Sequence, residues 1–233
     1  MTKDLFGKAL IDYQSGNYTE DLITSTNISG DDVLPLPYLF RRFSEMPKIE
    51  QKALQLCHGY VLDVGCGAGS HSIWLQEKGL KVKGIDVSKG TIEVAKKRGV
   101  FQTEHKELLE ETETFDTILL LMNGTGIFQT LEDTSRYLLH LKSLLNPNGQ
   151  ILIDSSDIKY MYQDDDGGYW MDINANYYGE LDYYLSYKGE EETPIKWLYL
   201  DFETLKSNCI AIGLSCEKIM NGEHYDYLAR LSH

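Results

Sequence analysis

Asp63 stands two residues ahead of three alternating glycines, Gly65-Cys66-Gly67-Ala68-Gly69, in the segment VLDVGCGAGSHSIWL of residues 61–75. Glycine has no Cβ and tolerates positive φ, so such a turn lets a ligand approach the backbone. Helix-forming residues follow. The N-terminus of a helix offers unpaired N–H groups and a partial positive charge. Strand, glycine turn and helix together point to a nucleotide-like ligand. The acid narrows the choice, because a carboxylate ahead of the turn would repel a pyrophosphate.

Elsewhere the chemistry is thinner. Asp164-Asp165-Asp166-Gly167-Gly168 invites a calcium loop, which needs acids at alternate positions before its glycine. Counting back from Gly167 reaches Tyr162 where the first ligand belongs, so a solvated acidic loop is the reading and no metal is expected. Cys57, Cys66, Cys209 and Cys216 form no CxxC pair and no zinc spacing with histidine. Free thiols in a reducing cytoplasm are the expectation. His71, two residues after the turn, reads as a packing or helix-surface residue rather than a base.

Holding the turn in place calls for alternating strands and helices. Strands are predicted over 60–64, 81–85, 115–122 and 150–154, with a weaker one near 100–103. Helices are predicted over about 69–78, 89–98 and 131–145. Such βαβ units make a parallel sheet with right-handed crossovers and ligands at the strands' C-terminal ends. After Asp154 the alternation stops. Residues 156–200 are rich in tyrosine and acid, and 180–187 with 194–200 read as an antiparallel hairpin. A helix over 202–212 follows, then strands over 215–220 and 225–231 with a hairpin signal at Asn221-Gly222. Before residue 59 we expect a helix over 4–13, a polar loop over 25–37 and helical turns over 39–56. The predicted organisation is an N-terminal helical cap, 1–58, and an α/β domain, 59–233, with an insertion at 156–200.

The chain has 233 residues, 42% hydrophobic and 25% charged, which suits one α/β domain with an elaboration. Its net charge of −14 lacks the basic surplus expected of a nucleic-acid binder and reads as solubility. The longest apolar run, Ile118 to Met122, is too short to span a membrane, and MTKDLFGKAL is unlike a signal peptide. A cytoplasmic protein with no membrane or nucleic-acid partner is expected.

Taken in order, these motifs resemble the class I S-adenosylmethionine-dependent methyltransferases, by motif over 59–155 and by topology over 202–233. Asp63 and the glycine turn match that family's first motif. Asp86, followed by Val87 in VKGIDVS, matches its acid at the end of the second strand. Glu104 and His105 fall where a third acid lies, upstream of Phe115-Asp116. LLLMNGTGI matches the apolar strand and polar loop that follow, and LKSLLNPNGQILIDSSD the next helix, turn and strand. The resemblance implies a Rossmann-like, doubly wound, seven-stranded sheet, mostly parallel with an antiparallel last strand. It implies S-adenosylmethionine as cofactor and S-adenosylhomocysteine as product. By the same resemblance Asp63 would balance the ammonium, and Gly65, Cys66, Gly67 and Gly69 would admit the methionine portion. Asp86 and Val87 would lie at the ribose, Glu104 or His105 at the adenine edge, and Met122 and Asn123 beside the sulfonium. A nicotinamide-dinucleotide oxidoreductase is the competing reading. It needs a glycine at position 70, where this chain has Ser70, and gives Asp63 no task. A non-catalytic S-adenosylmethionine-binding protein is the other alternative.

Methyl transfer from a sulfonium is an in-line displacement with a neutral leaving group. Alignment alone can supply about 7–11 kcal/mol, and no catalytic residue stands out. Family members that methylate amino groups of nucleobases or glutamine often carry an Asn/Asp-Pro-Pro-aromatic loop. This chain has Asn123-Gly124-Thr125-Gly126, which favours a small-molecule acceptor and leaves a protein acceptor open. The acceptor site is expected from 1–58 and 156–200. Tyr38, Arg41, Tyr160, Tyr162, Tyr169 and Trp170 are its candidates, the aromatic ones able to wall an aromatic or cationic pocket. The competing reading has the tyrosines packing on the sheet or joining two copies in a homodimer.

Overall fold

Two sheets organise the chain. The structure, a computed structural model, describes residues 3–164, 166–169 and 176–233. In chain order its elements are α1 (Leu5–Gln14), β1 (Leu22–Thr26), β2 (Ser29–Leu34), α2 (Leu36–Leu39), α3 (Lys48–Leu56), β3 (Tyr60–Val64) and α4 (Ser70–Glu77). There follow β4 (Lys81–Asp86), α5 (Lys89–Lys97), β5 (Thr103–His105), β6 (Phe115–Leu120), α6 (Leu131–Ser143) and β7 (Leu145–Ser156). The last are β8 (Glu180–Tyr187), β9 (Glu190–Glu191), β10 (Ile195–Leu198), α7 (Phe202–Ala211), β11 (Ser215–Asn221) and β12 (Asp226–Ser232).

The larger sheet has the order β11-β12-β7-β6-β3-β4-β5. Its β7, β6, β3, β4 and β5 run parallel, while β12 is antiparallel to both β7 and β11. Strands covered on both faces must be apolar on both. Phe115, Ile118, Leu119 and Leu120 of β6 are accordingly all buried. Alternate residues serve opposite faces. Leu62, Ile118 and Ile153 pack with Leu138 and Leu141 of α6, whereas Val61, Leu119 and Leu152 pack with Ile49 of α3 and Leu75 of α4. The seven strands and the antiparallel closing strand are those the resemblance implies.

The smaller sheet has the order β10-β8-β1-β2, with β9 beside β8. The predicted β8–β10 hairpin forms, with Ile195 opposite Tyr183 and Leu198 opposite Glu180. The expected polar loop over 25–37 is instead largely the β1–β2 hairpin, and β1 pairs antiparallel with β8, Ile23 opposite Ser186. Thus the segment before residue 59 is only partly helical. Nothing in SGDDVL announces a strand, because β2 is an edge with its side chains in solvent and only ladder hydrogen bonds define it. Thr26 and Ser29 close its turn through their hydroxyls, 2.9 Å apart.

Other boundaries differ from expectation: β7 already begins at Leu145, and β5 lies at Thr103–His105 rather than near 100–103. β6 stops at Leu120 rather than 122, because Met122 and Asn123 turn left-handed at φ 66° and 63°. In the closing hairpin Asn221 stays within β11, and the left-handed residue of the connection is Tyr225, φ 60°, so Asn221-Gly222 is not a two-residue turn. α1 packs on α5 at a glycine pair, where a Cβ on Gly90 would stand 2.6 Å from the Gly7 Cα. The Asp4 carboxylate caps α1 at Gly7 N and accepts from Gly90 N, tying the chain's start to the larger sheet's helices.

Candidate cofactor and acceptor site

The glycine turn leaves β3 beside β4. Gly65 N and Cys66 N both donate to Ile85 O, at 2.9 and 3.1 Å. Gly65, Gly67 and Gly69 have φ of 68°, 53° and 80°. They are glycines for different reasons. A Cβ on Gly69 would lie 2.6 Å from Val100 Cγ2, so that position serves packing. A Cβ on Gly67 would meet nothing nearer than the Gly65 carbonyl at 4.0 Å. At Gly67 the backbone is therefore open, as a cradle for a ligand must be. Cys66 is buried, and burial pushes its thiol well up.

Asp86, at the end of β4, spans this turn. Its Oδ2 accepts from Gly67 N at 3.0 Å and its Oδ1 from Ser88 N at 2.9 Å. A carboxylate has about four lone-pair sites, so each oxygen keeps one for a further donor. Burial raises Asp86 above the usual carboxylate range despite those two amides. Asp86 pairs with His105 across the sheet, and His105 Nε2 lies 2.9 Å from Val87 O. Val87 is 67% exposed, an apolar face with no cover. Strand alternation sends Glu104 the other way, to Lys83 at 3.0 Å and Lys106 at 3.2 Å. The structure therefore brings His105 and Val87 to Asp86, and Glu104 to a buried lysine.

Asp63 is buried, with Oδ2 accepting from Ser72 Oγ at 2.6 Å. Burial raises its pKa, while His71 and Ser72 oppose the shift. His71 is buried too, its Nε2 2.7 Å from Glu50 Oε2. The Arg41 guanidinium holds both oxygens of Glu50, donates to Tyr38 O at 2.6 Å and lies 3.9 Å from the Tyr38 ring centre. Burial pushes Glu50 up, but the His71 and Arg41 contacts outweigh it and hold the group below the usual range. Arg41, a candidate for the acceptor site, is thus largely committed to Glu50. Its buried Nε alone has no partner. Glu50 was not foreseen. Its signal is an acid one turn from Ala53 and Leu54 on the buried face of α3.

Beyond β6, Asp154 at the end of β7 accepts from Met122 N at 3.1 Å through Oδ2 and from Gly124 N at 2.8 Å through Oδ1. Ser155 Oγ donates to Asn123 Oδ1 at 3.1 Å, and Asn123 Nδ2 donates to Leu198 O at 3.2 Å. Asp154 is 7% exposed and burial raises it to about 6. It too was missed as a site residue, although QILID repeats the apolar-strand-then-acid pattern of VLD at 61–63.

Of the aromatic candidates, Tyr38 stands half-exposed above Arg41, and Tyr160 stacks on Tyr225 with centroids 4.6 Å apart. Tyr162 gives its hydroxyl to Tyr178 O at 2.8 Å. Tyr199, unforeseen, is pushed up to about 12 by burial and by the charges of Tyr183, Tyr160 and Asp154. Trp170 lies outside the described residues. A depression of about 360 Å³ lined by Asp157, Asp201, Lys218 and Tyr225 shares no residue with the glycine turn or β4, so it does not enter the cofactor reading.

Residues 38–192 match the model of a methyltransferase domain family. A solved S-adenosylmethionine-dependent methyltransferase from Bacteroides fragilis, in complex with S-adenosyl-L-homocysteine, is similar over 99% of this chain and 94% of that one, with 41% identity and a TM-score of 0.92. Ubiquinone biosynthesis O-methyltransferases of Pelagibacter ubique and Pasteurella multocida are 34% identical over 100 residues and 31% over 125. Those matches cover 40% and 46% of this chain and 40% and 50% of the relatives, so the chain spans half or less of the length of these curated proteins. With the strand order, the open glycine cradle and the β4 acid already in place, the matches lead to one conclusion: the chain belongs to the S-adenosylmethionine-dependent methyltransferases.

Proposed function

We propose that the protein transfers the methyl group of S-adenosylmethionine to a small-molecule acceptor by in-line displacement. The observation that carries this is the backbone left open at Gly67 with the Asp86 carboxylate 3.0 Å from its N–H. Asp63 would face the ammonium, Gly65, Cys66, Gly67 and Gly69 the methionine portion, Asp86 the ribose, Val87 with His105 the base, and Met122 and Asn123 the sulfonium. Glu104 would act on this site only through Lys83, which it pairs. Arg41 Nε is the unspent donor for a carboxylate or acceptor oxygen.

The cofactor supplies an activated methyl whose leaving group is a neutral thioether, so the protein need not donate a proton. Its task is alignment and exclusion of water. We read 59–233 as the methyltransferase domain. Residues 1–58 and 156–200 form its acceptor side, a reading supported by the ladder that joins β1 to β8. Tyr38, Tyr160 and Tyr162, with Tyr199, would border the acceptor. The four free cysteines suit a cytoplasmic location. No helix among the described residues is long and apolar enough to cross a membrane.

Calorimetry tests the reading: S-adenosylhomocysteine should bind and NAD(H) should not. Binding of NAD(H) with none of S-adenosylhomocysteine would sink it.

A further inference from the structure

We propose that Asp154 and Ser155 are positioning residues, which hold the Met122-Asn123 turn in its left-handed shape so that the turn keeps its place at the methyl group only while Asp154 is ionised. This rests on the assignment of Met122 and Asn123 to the sulfonium. Two successive non-glycine residues at φ 66° and 63° are strained and persist only where the surroundings over-determine them. Here the surroundings are specific. The two oxygens of one carboxylate take Met122 N and Gly124 N, on either side of Asn123. Ser155 Oγ joins Asn123 Oδ1 to the Thr125 hydroxyl, 2.6 Å away, and accepts from Leu200 N at 2.9 Å. Asn123 Nδ2 donates to Leu198 O, and the single Thr125 hydroxyl proton is within reach of both Leu198 O and Ser155 Oγ. The turn is thereby gripped between β7 of the large sheet and the end of β10 of the small one.

Protonating Asp154 would remove the charge that strengthens both amide contacts and make one of its oxygens a hydroxyl, a weaker acceptor. The clamp would loosen on that side. Among the described residues, few charged and titratable groups face Asp154. Glu50 of α3 raises it, itself paired with Arg41 and His71. Tyr38 of α2, Tyr199 after β10 and Tyr227 of β12 also feel its charge. None is a cation placed to hold Asp154 ionised, and burial leaves it titrating near 6.

Amide NMR on the whole chain tests this without an acceptor. Between about pH 5 and 8 the Met122 and Gly124 amide protons should shift together with a midpoint near 6, and in Asp154→Asn they should not titrate. Affinity for S-adenosylhomocysteine should weaken several-fold toward the acid end in the wild type, and its pH dependence should flatten in the variant. Amides that stay still in the wild type, or a shift that survives Asp154→Asn, would overturn the proposal. The wild-type titration decides even if the variant fails to fold. Absence of S-adenosylhomocysteine binding at neutral pH would instead overturn the cofactor reading.

Discussion

Three buried carboxylates near the strand ends, Glu50, Asp63 and Asp154, behave differently because their partners differ. Glu50 meets Arg41 and His71 and is held low. Asp154 meets backbone amides alone and is raised from 3.8 to about 6, while Asp63 is raised with Ser72 and His71 beside it. Glu50→Ala would leave the Arg41 charge buried without compensation, so urea unfolding should show a loss of about 3–5 kcal/mol. For Asp154 the sign is opposite. A carboxyl whose folded pKa lies above its unfolded value contributes stability below about pH 3.8 and loses it as pH rises through about 6. The stability of Asp154→Asn relative to wild type should therefore grow from pH 4 to pH 7, by up to about 3 kcal/mol. A difference that stays constant across that range would contradict the assignment. Asp86→Ala should weaken S-adenosylhomocysteine binding by about 2–3 kcal/mol in calorimetry, through lost charge-assisted hydrogen bonds and a slackened Gly67.

Among the elements, those with a buried stripe were legible and those without were not. β3 and β8 fall where the sequence predicts, over Tyr60–Val64 and Glu180–Tyr187, because an apolar stretch ahead of the glycine turn marks the first and alternation the second. β2 escaped because an exposed edge leaves no hydrophobic trace. β6 was drawn too long because Leu121 and Met122 continue its apolar run, while a carboxylate thirty-odd residues away bends the backbone there. The two sheets meet closely at Gly126, where a Cβ would stand 2.1 Å from the Trp197 ring. Gly126→Ala should force that ring aside, with about 1–3 kcal/mol lost in urea unfolding. A smaller loss would mean that β10 shifts freely against the turn.

At the scale of the molecule, a charge of −14 and the tyrosines proposed to border the acceptor suit a small solute better than a polyanion. Labelled methyl groups offered with a metabolite extract should appear in the small-molecule fraction. Label confined to nucleic acid or protein would refute that preference. The local sequence by itself determined the glycine turn and most strands and helices around it, because apolar runs, glycines and strand-end acids act within a few residues of one another, and the resemblance of those motifs supplied the sheet order and the cofactor class. Only the tertiary structure decided the remainder. It committed Arg41 to Glu50, sent Glu104 to Lys83 and His105 to Val87, and joined β1 to β8. It also set Asp154 beneath the Met122-Asn123 turn. Each of these is a pairing between segments far apart in the chain, where burial makes a partner obligatory but no spacing announces which partner it will be.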